Sequence, residues 1–199
     1  MYNEALKEKI KNDLQKSLSK HRYTHVLGVA AKARELAGQY GGSLDQAEVA
    51  GLLHDAAKQK SLPEMQQLAR RSFGNTLPDT IMSIGSLLHG YAAVTIARET
   101  YGIHDEELLA ALAHHTTGAE QMGTLEKIIF IADYIEINRD FDGVEALRKI
   151  AAADLDQAVL AGYDSTISHL LEQKKTIYTG TVINRNALIL AMQADRKAK

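Results

Sequence analysis

A histidine and an aspartate stand side by side after an apolar run in Gly51-Leu52-Leu53-His54-Asp55-Ala56-Ala57-Lys58. A carboxylate buried without a partner is costly, so a pair this polar at the end of an apolar helix needs company. A divalent cation suits an imidazole and a carboxylate together. Lys58 follows His54 by four residues and Asp55 by three. On a helix that sets it one turn further along roughly the same face, where it could hold an anionic substrate. Such a pair can also be an ordinary surface cap of a helix, and the rest of the chain argues against that here.

Residues of the same types recur at apolar helix faces or ends: His25, His89, His115 or its neighbour His114, and Asp133. With His54 and Asp55 they make four histidines and two aspartates, spread over separate predicted helices. A lone histidine on an apolar face is more often a satisfied core residue. That account must hold for each of the four independently and must also explain two semi-buried aspartates. All-helical proteins build metal sites from facing side chains in the middle of a bundle, and these six could converge there.

The elements that would carry them are helical. Only two prolines occur, Pro63 and Pro78, and alanine, leucine, glutamate and lysine are abundant, which favours an all-α chain. Leu6, Ile10, Leu14 and Leu18 recur every four residues and predict an amphipathic helix over 3–19. A second helix over 20–40 carries His25 on or beside its apolar stripe and stops at Gly41-Gly42, with small residues Gly28, Ala30, Ala31 and Ala33 letting another helix approach. A third, over 44–58, begins with Asp45 and Glu48 and ends in the His-Asp pair. Ser61-Leu62-Pro63-Glu64 has capping-box spacing and starts a fourth helix that ends near Gly74. After Pro78 come a short helical piece and then a helix containing His89 that closes at Gly102. Asp105 caps 106–115, and Thr124 is the expected cap of 125–137, where Asp133 lies among Ile128, Ile129, Ala132 and Ile135. Further helices follow from Phe141, from Asp154 to about Gln173, and over 181–197. No repeat or flexible linker interrupts them, so a single domain over 1–199 is expected, with a core at about 20–140 and a helical extension at about 141–199.

Composition narrows the function. Charged residues make up 24% of the chain and the net charge is -2, so no global field recruits nucleic acid or anionic membrane, and any anion must be bound locally. There is no cysteine, which removes disulfides, thiolate zinc sites and cysteine nucleophiles together and suits the reduced cytoplasm. The N-terminus reads as a charged helix rather than a signal peptide, and no apolar run approaches the length of a membrane span.

The ordered set resembles the HD-domain metal-dependent phosphohydrolases, whose pattern is His, then His-Asp, then two further histidines, then Asp. More narrowly, the chain is similar to the bacterial YqeK-type HD proteins, which are symmetrical diadenosine tetraphosphate hydrolases. The matching segments are His25-Val26-Leu27-Gly28-Val29, the run from Ala50 to Lys58, Leu87-Leu88-His89-Gly90, His115-Thr116-Thr117-Gly118 and the run from Ile131 to Arg139. The likeness extends to the tail around Arg185-Asn186. It implies an HD-domain helical bundle with a metal site at its centre. His25, His54, Asp55 and Asp133 would bind one metal, while Asp55 bridges to a second held by His89 and His115. His115 is taken because the family places its histidine directly before Thr-Thr-Gly, which leaves His114 a structural or outer role.

Two divalent ions about 3.5–4 Å apart can share a hydroxide, lower the pKa of its parent water and clamp phosphoryl oxygens during in-line displacement. Imidazole and carboxylate ligands accept iron, zinc, manganese or nickel alike, and the resemblance implies iron. The expected reaction is hydrolysis of diadenosine tetraphosphate to two ADP. Asp55 and Lys58 would act in catalysis, Lys58, Thr117 and Arg139 would contact substrate phosphate, and Glu136 would orient a ligand or water. The same centre could serve a phosphatase or phosphodiesterase acting on another nucleotide, oxygen-dependent chemistry, or a non-catalytic nucleotide-binding regulator. A homodimer is compatible with this reading, whereas a nucleic-acid partner has no basic stripe or recognition helix to support it.

Overall fold

In the computed structural model, which describes residues 2–198, the chain is all helix, and no strand occurs among the described residues. The sequence signals account for most boundaries. Asn3 caps α1 (Glu4–Ser17) by accepting from the Leu6 N–H at 2.9 Å. Ser19 caps α2 (Lys20–Tyr40), which ends where Gly41 takes the left-handed conformation at φ 83°. Ser43 caps α3 (Leu44–Leu53), and the Ser61/Glu64 capping box with Pro63 opens α4 (Leu62–Phe73). The short α5 (Asp79–Met82) precedes α6 (Gly85–Tyr101), and Asp105 caps α7 (Glu106–His114). The chain continues with α8 (Thr124–Ile135), α9 (Val144–Ala151), α10 (Leu155–Glu172), capped by Asp154, and α11 (Thr179–Ala198).

Three expectations are corrected. The third helix stops at Leu53 rather than Lys58. Beyond it the Ala56, Lys58 and Lys60 amides bond carbonyls three residues back, at 2.9–3.0 Å, so His54 to Lys58 form successive tight turns. Thr124 is the first residue of α8, and the cap is Gly123, whose N–H donates to Glu126 Oε2 at 2.7 Å. Helix α8 ends at Ile135, because Glu136 turns to extended backbone at ψ 158°.

The centre of the molecule is the close pairing of α2 with α3, flanked by α7 and α8, with α6 against α7 and α4. The pairing depends on Gly51: a Cβ there would lie 2.6 Å from the Cα of Ala30, inside van der Waals contact, so only glycine lets these two backbones meet. Around this contact Leu52, Leu53, Val26, Val29, Ile128 and Ile129 have no solvent exposure. Each of the larger ones contributes roughly 1.5–3 kcal/mol by burial. Helix α1 is tied to α3 by Lys7, almost fully buried, whose ammonium meets Glu4, Asp45 and Glu48 at 2.7–3.0 Å. Burial works against that charge, but the three carboxylates outweigh it and hold the ammonium above its ordinary value. No helix among the described residues is long and apolar enough to cross a membrane.

Candidate metal centre

Where α3 ends, His54 becomes its C-cap, and where α7 ends, His115 does the same. Each imidazole folds back on its own helix, with Nδ1–H donating to the carbonyl three residues earlier. His54 reaches Gly51 at 2.7 Å and His115 reaches Leu112 at 2.8 Å. The tautomer is thereby set and the Nε2 lone pair of each ring faces inward. His25, from α2, is oriented by Glu136 Oε1 at 3.2 Å from its Nδ1, and its Nε2 lies 3.0 Å from Asp133 Oδ1 of α8. His89, from α6, places Nε2 3.1 Å from Asp55 Oδ1 and 2.8 Å from His115 Nε2. Ring centroids step through the group at 5.4 Å (His25 to His54), 5.0 Å (His54 to His115) and 4.7 Å (His115 to His89).

Asp55 lies at the middle of this set. Its Oδ2 faces His25 at 3.8 Å and His54 at 3.6 Å, while its Oδ1 faces His89 at 3.1 Å and His115 at 3.9 Å. One carboxylate thus addresses two groups of imidazoles from opposite oxygens. Three overlapping sets, His25/His54/Asp55, His54/His115/Asp133 and Asp55/His89/His115, each have donor atoms within 4.8 Å of one another.

The donors fit divalent cations. His25 Nε2 and His54 Nε2, both turned toward the site carboxylates, are buried with no hydrogen-bond partner, an arrangement that costs stability unless something else meets the nitrogens. Burial pushes the His54 imidazole below its ordinary value, and burial together with the neighbouring His89 and His54 pushes His115 well below, so both offer lone pairs at neutral pH. Burial alone would raise the Asp55 carboxyl, but His54, the His89 hydrogen bond and Lys58 outweigh it and hold it well below the carboxylate range. Asp133 is likewise held down against its burial by His25, His54 and Arg139.

The other predicted residues divide by position. Lys58 stands on the turns after α3 with Nζ 3.2 Å from His89 Nε2 and 3.9 Å from Asp55 Oδ1, and burial lowers its ammonium pKa. Arg139 donates to the Asp133 carbonyl at 2.7 Å and to Asp133 Oδ1 at 2.5 Å. Thr117 is buried, its hydroxyl donating to the Gly118 carbonyl at 3.1 Å and its own carbonyl accepting from Asn184 Nδ2 at 2.9 Å. His114 points away from the cluster and meets Glu126 Oε1 with its Nδ1 at 2.6 Å.

Sequence reasoning missed Arg22, whose Nη1 donates to Asp55 Oδ2 at 2.6 Å. Its position one turn before His25 on α2 was a usable signal. It also missed how Gly28 serves the site: a Cβ there would fall 2.1 Å from Glu136 Oε2, so the missing side chain is the space in which Glu136 reaches His25. Beside the cluster a cleft of about 580 Å³ is lined by three cations, Lys20, Arg22 and Arg139, with Glu136 as the carboxylate among them.

The HD domain family profile matches residues 22–138, which span every residue of the cluster. The symmetrical bis(5'-nucleosyl)-tetraphosphatase of Halalkalibacterium halodurans is 42% identical over 173 residues, covering 87% of this chain and 91% of that protein. The protein of the same description from Staphylococcus aureus is 40% identical over 179 residues, covering 88% and 90%. Among solved structures, a predicted HD superfamily hydrolase from Clostridium acetobutylicum, described as involved in NAD metabolism, superposes with a TM-score of 0.87 at 40% identity. That match covers 92% of this chain and 97% of the other.

Proposed function

The chain belongs to the HD domain family, and from that premise we propose that it is a metal-dependent hydrolase that cleaves diadenosine tetraphosphate symmetrically into two ADP. The observation that carries this reading is Asp55, whose two oxygens face two separate sets of imidazoles within 3.9 Å. We assign His25, His54, Asp55, His89, His115 and Asp133 as the metal ligands, and iron as the metal, with zinc, manganese and nickel accepted by the same donors. Bound there, divalent cations supply a water of lowered pKa and neutralise phosphoryl charge.

The chain's own residues do the rest. Gly51, Leu112 and Glu136 fix the tautomers of His54, His115 and His25, so that these three imidazoles already present Nε2 to the site. Arg22, Lys58 and Arg139 form a cationic rim, and each now leans on a site carboxylate or imidazole that an incoming polyphosphate can replace as partner. We place substrate phosphate against Lys58, Arg139 and the turn at Thr117. The core and the helical extension form one domain in this reading, supported by Asn184 of α11 holding Thr117 and by Tyr163 of α10 packing on Phe130 of α8 at 4.9 Å.

The test is chromatography of products from metal-loaded protein, with elemental analysis of the same sample. Two ADP per diadenosine tetraphosphate is expected. ATP plus AMP, or turnover of other nucleotides with none of this one, would remove the proposed reaction. Tight nucleotide binding without turnover would mark a regulator instead.

A further inference from the structure

Helix α8 carries Asp133 into the centre and then stops at Ile135, after which the chain turns to extended backbone at the nearly fully buried Glu136. The last carbonyls of a helix have no partner within it, and a buried one must find a donor elsewhere. Here a single side chain from α9 meets the last carbonyl of α8 and two more in the segment just beyond it. Arg148 donates from Nε to the Ile135 carbonyl at 3.0 Å, and from Nη2 to the Glu136 carbonyl at 2.8 Å and the Arg139 carbonyl at 3.1 Å. Its remaining nitrogen, Nη1, meets Glu145 at the surface.

The segment so held, 135–139, contains two groups whose direction matters. Glu136 sends its carboxylate to His25 Nδ1, steadied by the Asn138 amide at 2.8 Å and side chain at 2.9 Å. Arg139 sends its guanidinium to Asp133. Arg148 touches neither the imidazoles nor the carboxylates of the cluster in any of these contacts. It also lies outside the residues matched by the family profile.

We propose that Arg148 is a positioning residue for the metal centre. By capping the end of α8 it fixes the main chain from which Glu136 orients His25 and from which Arg139 reaches Asp133. The planar guanidinium is what the task needs, since lysine offers one point of charge and cannot span three carbonyls on one rigid fork. The proposal rests on the metal-hydrolase reading for its consequence in turnover, but its first readout is cation affinity, which is independent of the substrate.

The experiment compares Arg148→Lys and Arg148→Met with Glu145→Gln, which removes only the surface ion pair. Metal affinity is measured on metal-free protein by competition with a chelator, using manganese and zinc as probes, alongside thermal midpoints, kcat and KM. Partners behind a ligand typically change affinity about 10–100-fold, and a loss in that range is expected for both Arg148 variants, with kcat reduced and Glu145→Gln unchanged. Glu136→Gln combined with Arg148→Lys should cost less than the sum of the two, because both act through His25. A fall in thermal midpoint with metal affinity and kcat within about twofold of the wild type would reduce Arg148 to a structural cap and overturn the proposal, as would full additivity with Glu136→Gln. If Arg148→Met does not fold, Arg148→Lys and the double variant decide. If the wild type binds cations but does not cleave the dinucleotide, the reaction assignment fails while the affinity comparison still stands.

Discussion

Gly51→Ala tests the contact on which the centre is built. The new methyl would sit 2.6 Å from Ala30 Cα, 2.9 Å from Ala30 N and 3.1 Å from Val29 C. All three are backbone atoms, so no rotamer change relieves the overlap. Carbon atoms pack at about 3.5–4.0 Å, so α2 and α3 must separate locally by roughly 1 Å. Overpacking of this kind costs up to about 3 kcal/mol. Alanine's better helix propensity returns about 1 kcal/mol, leaving a net loss near 2 kcal/mol. In a chain of this size that corresponds to a midpoint lower by about 4–8 °C. The separation also acts on function, because α2 carries His25 and Arg22 while the end of α3 carries His54 and Asp55. A misplacement of about 1 Å can reduce turnover on the order of 100-fold. Thermal unfolding of metal-free protein and initial rates of dinucleotide cleavage are the assays, with Gly38→Ala as the control. That glycine is also on α2, but its Cβ would meet only the end of the Leu44 side chain at 3.4 Å, so a neutral or slightly raised midpoint is expected there. If Gly51→Ala matches wild type in midpoint and rate, the close pairing of α2 and α3 does not set the geometry of the cluster.

Asp55→Asn removes the carboxylate whose two oxygens face the two sets of imidazoles, and metal affinity should fall by at least about 100-fold with turnover lost, read by elemental analysis and product formation. His115→Ala should reduce turnover far more than His114→Ala, whose imidazole serves Glu126 rather than the cluster; equal losses would mean that the side chain turned inward has been misassigned. The metal-free protein should lose stability in acid, and the sign follows from His54 and His115. Both are held below the ordinary 6.5 by burial, so the unfolded chain takes up protons first as pH falls. Stability is complete above that value and declines below it toward the folded values, with a second loss below 3.8 as Asp55 and Asp133 are titrated. Urea midpoints at about pH 7.5 and about pH 5.5 check this, and an unchanged midpoint would contradict it.

Local chemistry written in the sequence determined a good part of this molecule. Ser61, Asp105 and Asp154 announced helix starts because their side chains satisfy orphan amides in whatever fold follows, and Gly41 and Gly102 announced ends because glycine adopts positive φ freely. The types of the six cluster residues, and their order along the chain, were equally legible, since apolar periodicity marks which helix faces turn inward. What only the tertiary structure decided is direction. Propensity ran the third helix on to Lys58, whereas the His54 ring bonding Gly51 and the tight turns after Leu53 aim His54, Asp55 and Lys58 by another route. Between adjacent His114 and His115 the resemblance had named His115, and the burial of that ring and the Glu126 partner of the other give the physical reason. Arg22 on Asp55, Glu136 in the space left by Gly28, and Arg148 across three carbonyls join residues that are dozens to more than a hundred positions apart or bound to main chain. No periodicity records such contacts, because they depend on where whole helices pack rather than on what any one segment prefers.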